Sequence, residues 1–317
     1  MKKLIAIVLG EPNSINSEII AKSWEKNKKN IFIIGNYLLL EKQLNAINRK
    51  ISLSKIESIE EYKQNTKLIV LDVPLRFKSI FKVNIVNSKK YVLKSLDTAH
   101  NLSISGKIKG FITAPIDKKI FSSKYLGTTE YLASKNKSIH GEVMMIYNKK
   151  FSVVPLTTHL EIKNVTAKIK FQLIKKKISI LNKSYLKLFK KKPSIVVLGL
   201  NPHNTENKIN SIESKIIEPA IKKLKKLGIN IKGPYPADTI FNNQRKLGYD
   251  VIVGMYHDQV LAPFKALFGY NAINVTLGLK YLRVSPDHGT AKDIIGLDQA
   301  NAKSLNNAID FLNRFND

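Results

Sequence analysis

Eight short apolar runs recur along the chain, and their alternation with helix-length segments is what most restricts its fold. They are "LIAIVLG" (4–10), "IFIIG" (31–35), "LIVLDV" (68–73), "GFITAP" (110–115), "FSVVPLT" (151–157), "SIVVLGL" (194–200), "DVIVGM" (250–255) and "AINVTLG" (272–278). Runs this short and this apolar suit strands buried on both faces, as parallel sheets require. Between several of them lie segments long enough for helices, at 17–27, 89–105, 164–189 and 213–227. Strands that alternate with helices predict an α/β architecture around a mostly parallel sheet. At 317 residues the chain has room for one large domain or for two lobes. No internal repeat or low-complexity linker marks a boundary between them.

In open α/β sheets, ligands bind beyond the carboxyl ends of strands, so the polar residues there are the ones to weigh. Three of the six histidines follow strand-like runs closely: His159 after "FSVVPLTT", His203 after "SIVVLGLNP" and His257 after "DVIVGMY". They lie 44 and 54 residues apart, which excludes a local zinc-finger spacing. A shared sheet edge can still gather them. Neutral imidazoles suit zinc and similar divalent cations, and three protein ligands plus an open position mark a catalytic site. The alternative for each histidine alone is a strand cap bonded to a backbone carbonyl. Asp258, next to His257, can orient that ring or accept a proton, or can simply bond within the turn. His288 lies in "SPDHGTAKDIIG", where Gly289 permits a tight turn and the following residues read as a helix start with Thr290 among exposed amides. Such a loop can hold an anion or an adenosine. No G-x-G-x-x-G follows any strand, so a nicotinamide cofactor would not be held by the usual dinucleotide fingerprint.

Composition narrows the class further. There is no cysteine, which excludes disulfides, thiolate metal sites and cysteine nucleophiles. The longest apolar runs fall far short of the roughly 20 residues of a membrane span. The start, "MKKLIAIVLGEPNS", faintly resembles a signal peptide, but its apolar core is short and no small-residue cleavage site follows, so it reads as a first strand. The cytoplasm is the expected compartment. The formal charge of +29 raises the possibility of a nucleic-acid or anionic-membrane partner. Only five of the 53 basic residues are Arg, the type preferred for bidentate phosphate and base contacts. The lysines are dispersed among abundant Asn and Ile. Their densest run, 168–192, interleaves apolar residues at helical spacing and reads as an amphipathic helix with a solvated basic face.

Nine stretches, in order and over nearly the whole chain, resemble the 4-hydroxythreonine-4-phosphate dehydrogenase family of pyridoxal phosphate biosynthesis. They are "GEPNSINSEI" (10–19), "TAPIDK" (113–118), "TTEYLA" (128–133), "TTHL" (157–160), "GLNPH" (199–203), "GPYPADTIF" (233–241), "MYHDQ" (255–259), "NVTLGL" (274–279) and "DHGTA" (287–291). The resemblance implies an isocitrate/isopropylmalate dehydrogenase-like fold of two α/β/α lobes around a mostly parallel sheet, with the active site in the interlobe cleft. It implies a first, cofactor-side lobe of 1–127 plus 289–317 and a second lobe of 128–288 carrying metal, substrate and dimer contacts. It implies NAD or NADP, one divalent metal (zinc, magnesium or cobalt), a small phosphorylated substrate, and a homodimer that shares its active site, with no nucleic acid and no membrane. His159, His203 and His257 match the family's metal ligands, one of them supplied by the partner subunit. Thr128, Thr129, Lys265, Asn274 and Arg283 match substrate positions, and His288, Gly289 and Thr290 match the cofactor loop. Asp238, Asp258 and Lys265 are the catalytic candidates. The activity implied is oxidation of 4-phosphohydroxy-L-threonine to a β-keto acid that loses carbon dioxide to give 3-amino-2-oxopropyl phosphate. The alternatives are a paralogue acting on threonate or erythronate 4-phosphate, or a lyase without NAD on the same scaffold, and a basic nucleic-acid-binding protein. The chain departs from the family in two places that bear on substrate: Thr128 stands where a histidine is usual, and Ser14, Asn16 and Ser17 replace two glycines and a proline of the first loop.

Overall fold

A computed structural model describes residues 4–26, 30–121, 125, 127–136, 141–207 and 209–315, without the side chains of 205–207 and 243–247. Twelve strands form among these residues: β1 (Ile5–Val8), β2 (Ile31–Gly35), β3 (Leu53–Ile56), β4 (Leu68–Asp72), β5 (Gly110–Thr113), β6 (Val143–Tyr147), β7 (Ser152–Thr157), β8 (Ile195–Leu198), β9 (Ile231–Tyr235), β10 (Val251–Tyr256), β11 (Ile273–Leu277) and β12 (Leu282–Pro286). All eight apolar runs are strands. The chain divides into two compact units, 1–137 with 279–317, and 138–278. The helix Thr128–Lys135 and strand β12 therefore belong to the first unit, whereas the boundaries expected from the sequence place them in the second.

In the first unit the strand order is β3-β4-β2-β1-β5-β12, and every pairing is parallel. Parallel pairing needs crossovers, and the helices Asn16–Trp24, Tyr37–Ala46 and Ile85–Ile104 supply them. The second of these starts where Asn36 accepts a hydrogen bond from the Leu39 amide, satisfying one of the orphan donors of the first turn. Phe32, Phe111, Leu96 and Tyr91 lie in the core of this unit.

The second unit has the order β11-β6-β7-β10-β8-β9. Its β7, β10, β8 and β9 run parallel, while β6 is antiparallel to both β11 and β7. Val153, Val196, Ile252, Val260 and Phe264 form its core. The segment expected as one helix at 164–189 is two, Ile162–Lys168 and Phe171–Phe189. They part at Ile169, which takes an extended backbone so that its side chain can be buried. The longer helix has the expected amphipathic form: Ile174, Ile178, Leu181 and Tyr185 repeat every three or four residues and are buried, leaving the lysines outside.

Candidate functional site

The order β7-β10-β8 sets three neighbouring parallel strands side by side, so their carboxyl ends open onto one edge of the second unit. Thr157 ends β7 level with Tyr256 at the end of β10. His159 follows two residues later, and His257 is the first residue of the helix His257–Phe268. Their rings face each other with centroids 6.0 Å apart at 37°. Two imidazoles on one ion would place their centroids about 5 Å apart, so this pair lies close to a ligating arrangement. The Asp258 carboxylate sits 2.6 Å from His257 Nδ1. A proton held there leaves Nε2 as the ring's lone-pair donor, the tautomer a metal ligand needs. This contact is the one that orientation of the ring would use.

His203 follows β8 on the 3₁₀ segment Pro202–Asn207 and is exposed. It does not complete the expected triad within one chain: among the described residues, no group of three His, Asp or Glu side chains is gathered closely enough to hold a metal ion. The donor type and the strand-end placement suit a divalent cation, and two of the three candidate histidines lie beside each other. His159 and His203 both have left-handed backbone, with φ of 48° and 49°, an uncommon conformation for a residue with a Cβ.

Beneath these histidines runs a chain of hydrogen bonds that crosses the three strand ends. Thr157 Oγ1 donates to the Met255 carbonyl at 2.8 Å, and the Met255 amide donates to Gln259 Oε1 at 2.7 Å. Gln259 Nε2 donates to the Gly199 carbonyl at 2.7 Å. The next two amides, of Leu200 and Asn201, donate to Glu213 Oε1, each at 2.9 Å. Glu213 is buried and opens a π-helical turn, Glu213–Ile217. Burial alone would raise its carboxyl pKa, but the amide hydrogen bonds outweigh that and hold it below the ordinary value.

The other candidates of this unit are spread over its elements. Lys265 is exposed on the helix His257–Phe268, and Asp238 is exposed in the first turn of Ala237–Leu247. Asn274 lies on β11 opposite Ile146, and its buried Oδ1 has no hydrogen-bond partner among the described residues.

The first unit buries a charge. Arg283 on β12 is 4% exposed, and its guanidinium donates to the hydroxyls of Thr129 (3.3 Å) and Thr113. Desolvation pulls its pKa down to about 10, against the influence of Tyr281 and Glu130, so it remains a cation at neutral pH. Thr128 and Thr129 open the helix Thr128–Lys135 directly after Gly127. The structure thus joins Arg283 and Thr129, and adds Thr113, a residue outside the sequence-derived candidates.

The loop of His288, Gly289 and Thr290 packs on the first loop through the Ile15 amide, which donates to the Thr290 carbonyl. His288 Nδ1 lies 3.1 Å from the Gly289 carbonyl. The expected helix start after Thr290 is a single 3₁₀ turn, Lys292–Ile294, because Ala291 is left-handed and turns the chain away. In the first loop Gly10 has φ +76°, and a Cβ there would lie 2.8 Å from the Pro115 carbonyl oxygen, so the position needs glycine. Ser14 and Asn16, which replace the family's glycines, avoid positive φ and close the loop with side chains. Asn16 Nδ2 donates to the Leu9 and Pro115 carbonyls, and Ser14 Oγ to the Glu11 carbonyl. Glu11 is 3% exposed, and its Oε2 has no hydrogen-bond partner among the described residues. Burial raises its pKa to about 7, the Asn13 amide opposes the rise, and Asp117 adds to it.

Comparison with known proteins gives this arrangement a family. The model of the pyridoxal phosphate biosynthetic protein PdxA matches residues 27–312. A 4-hydroxythreonine-4-phosphate dehydrogenase of Aquifex aeolicus is 39% identical over 98% of this chain and 97% of its own length. Another, of Sulfurihydrogenibium sp., is 37% identical over 96% of each. Among solved structures, the 4-hydroxythreonine-4-phosphate dehydrogenase of Klebsiella pneumoniae superposes with a TM-score of 0.88 at 28% identity, covering 99% of this chain and all of that one. A match over most of the chain, with relatives of this identity at near-full length, establishes that the chain belongs to the pyridoxal phosphate biosynthetic protein PdxA family.

Proposed function

We propose that the chain is a metal-dependent NAD(P)-linked dehydrogenase of 4-phosphohydroxy-L-threonine in the biosynthesis of pyridoxal 5'-phosphate. The observation that carries this reading is the facing pair His159 and His257, with Asp258 on the far nitrogen of His257, at neighbouring strand ends. In a member of this family, that pair supplies two of the three protein ligands of a divalent-metal site, with His203 as the third in a homodimer that shares its sites. A bound zinc, magnesium or cobalt ion would favour loss of the substrate hydroxyl proton and draw electrons as carbon dioxide leaves.

The remaining chemistry belongs to the chain. A nicotinamide held by the chain would take the carbinol hydrogen with its two electrons as hydride, and Asp238 or Asp258 would accept the hydroxyl proton. The resulting β-keto acid loses its carboxyl group as carbon dioxide, the carbon keeps the electron pair, and a proton replaces the lost carboxyl. The Arg283 cation, flanked by the hydroxyls of Thr129 and Thr113, suits an anionic group of the substrate, as does Lys265. The orphaned acceptor of Asn274 suits a substrate donor such as an ammonium or hydroxyl. His288, Gly289 and Thr290 are assigned to the cofactor.

Thr128 favours a second reading, a paralogue for another phosphorylated hydroxy acid such as threonate or erythronate 4-phosphate, because a hydroxyl there cannot supply the charge of the usual imidazole. NADH formation with each substrate separates the two. The expected result is turnover of 4-phosphohydroxy-L-threonine that a chelator abolishes and zinc, magnesium or cobalt restores. Turnover of a sugar-acid phosphate alone would transfer the assignment to the paralogue. The substitution His257→Ala is expected to abolish metal binding and turnover together, with the far-UV circular dichroism unchanged. Unimpaired turnover in that variant would exclude the metal site. Salt-resistant nucleic-acid binding without turnover would instead support the binding protein.

A further inference from the structure

Gln259 has a place in the "MYHDQ" stretch but no part in the chemistry above. Its side-chain amide joins two strand ends: Oε1 holds the Met255 amide at the end of β10, and Nε2 holds the Gly199 carbonyl at the end of β8. Met255 lies two residues before His257, and Gly199 four residues before His203. Thr157, two residues before His159, donates to the carbonyl of the same Met255. Glu213 gathers the amides that follow Gly199. Each histidine therefore leaves a strand whose last turn is fastened to its neighbour by a short side-chain hydrogen bond. The fastening matters because His159 and His203 leave on left-handed residues, a conformation that persists only where the surroundings fix it.

We propose that Gln259 is a positioning residue for the metal site, setting the spacing of the His257 turn and the His203 loop, with Thr157 and Glu213 continuing the same chain on either side. The proposal rests on the metal reading above. The amide does this with two linked atoms about 2 Å apart, an acceptor for an N–H and a donor for a carbonyl, without needing to bind a proton. A carboxylate of the same shape keeps the first bond and turns the second into a repulsion between two oxygens.

The test is cobalt binding by the purified protein without substrate or cofactor, followed by the visible absorption of the bound ion and by calorimetry. The Gln259→Glu variant is expected to bind cobalt about 10- to 100-fold more weakly than the wild type, with an altered visible spectrum. Its metal-free unfolding midpoint is expected to stay within about 4 °C. Thr157→Val, which removes the donor at the other end and keeps the volume, is expected to weaken binding in the same direction. It decides the matter if Gln259→Glu does not fold. Cobalt affinity and spectrum unchanged in the folded variants, beside a wild type that binds cobalt, would overturn the positioning role alone. A wild type that binds no cobalt would overturn the metal reading, and this proposal with it.

Discussion

Glu11 shows what a single burial can do. Its folded-state pKa, raised to about 7, lies above the ordinary carboxylate value from which it starts. Between those two values the folded chain holds a proton that the unfolded chain has released, so stability falls as pH rises through this window. The contribution is fully present below the unfolded value and is gone above about 7. Glu11→Gln removes the titrating group, so the variant is expected to gain on the wild type between pH 5 and pH 8, by on the order of 1–3 kcal/mol in denaturant unfolding. An unchanged difference between the two proteins across that range would refute the assignment. Nothing in the sequence around "GEPNS" reveals this shift, because it depends on Asp117 and on the burial of the loop. The histidines were more legible. His159, His203 and His257 each follow an apolar run, and a parallel sheet puts such positions at one edge. Whether three of them close on an ion depends on side-chain geometry, and within one chain only two come together. Glu213 was invisible for a related reason: it acts on Leu200 and Asn201 through a π-helical turn that no short motif specifies.

Most of the buried, apolar elements were legible. Each of the eight apolar runs is a strand, while three of the four strands absent from the expectation have mixed patterns. β12 carries Arg283 as its second residue, β9 contains Gly233 and Pro234, and β3 holds Ser54 and Lys55 between Leu53 and Ile56, whereas β6 is apolar throughout and was missed all the same. The helix His257–Phe268 illustrates how tightly an element can be seated. It leaves β10 with no loop between them and packs over Gly254, where an added Cβ would lie 2.5 Å from Val260 Cγ1 and 2.9 Å from Gln259 Oε1. Gly254→Ala must therefore push the first turn of the helix off its strand. The expected cost is about 1–3 kcal/mol of stability by urea titration, together with weaker cobalt binding, because the displaced atom belongs to Gln259. A variant as stable as the wild type would show that the helix can shift freely.

At the scale of the whole molecule the dominant property is charge. With 53 basic and 24 acidic residues, the chain repels itself at neutral pH. Salt screens that repulsion over roughly 10 Å at 0.1 M. The melting temperature is therefore expected to rise by a few degrees between about 20 and 200 mM salt; a fall would mean that attractive pairs such as Arg49–Asp298 outweigh the excess. The left-handed backbone at positions 159 and 203 bears on how this chain could be engineered. Glycine adopts that conformation without steric penalty, so each replacement His→Gly is expected to raise folded stability by up to about 1 kcal/mol. A random library ranked on heat resistance alone should enrich glycine at both positions, and each winning clone would have discarded an imidazole. On the proposed metal reading, thermostability and function are opposed at two specific codons, which a stabilisation campaign should hold fixed.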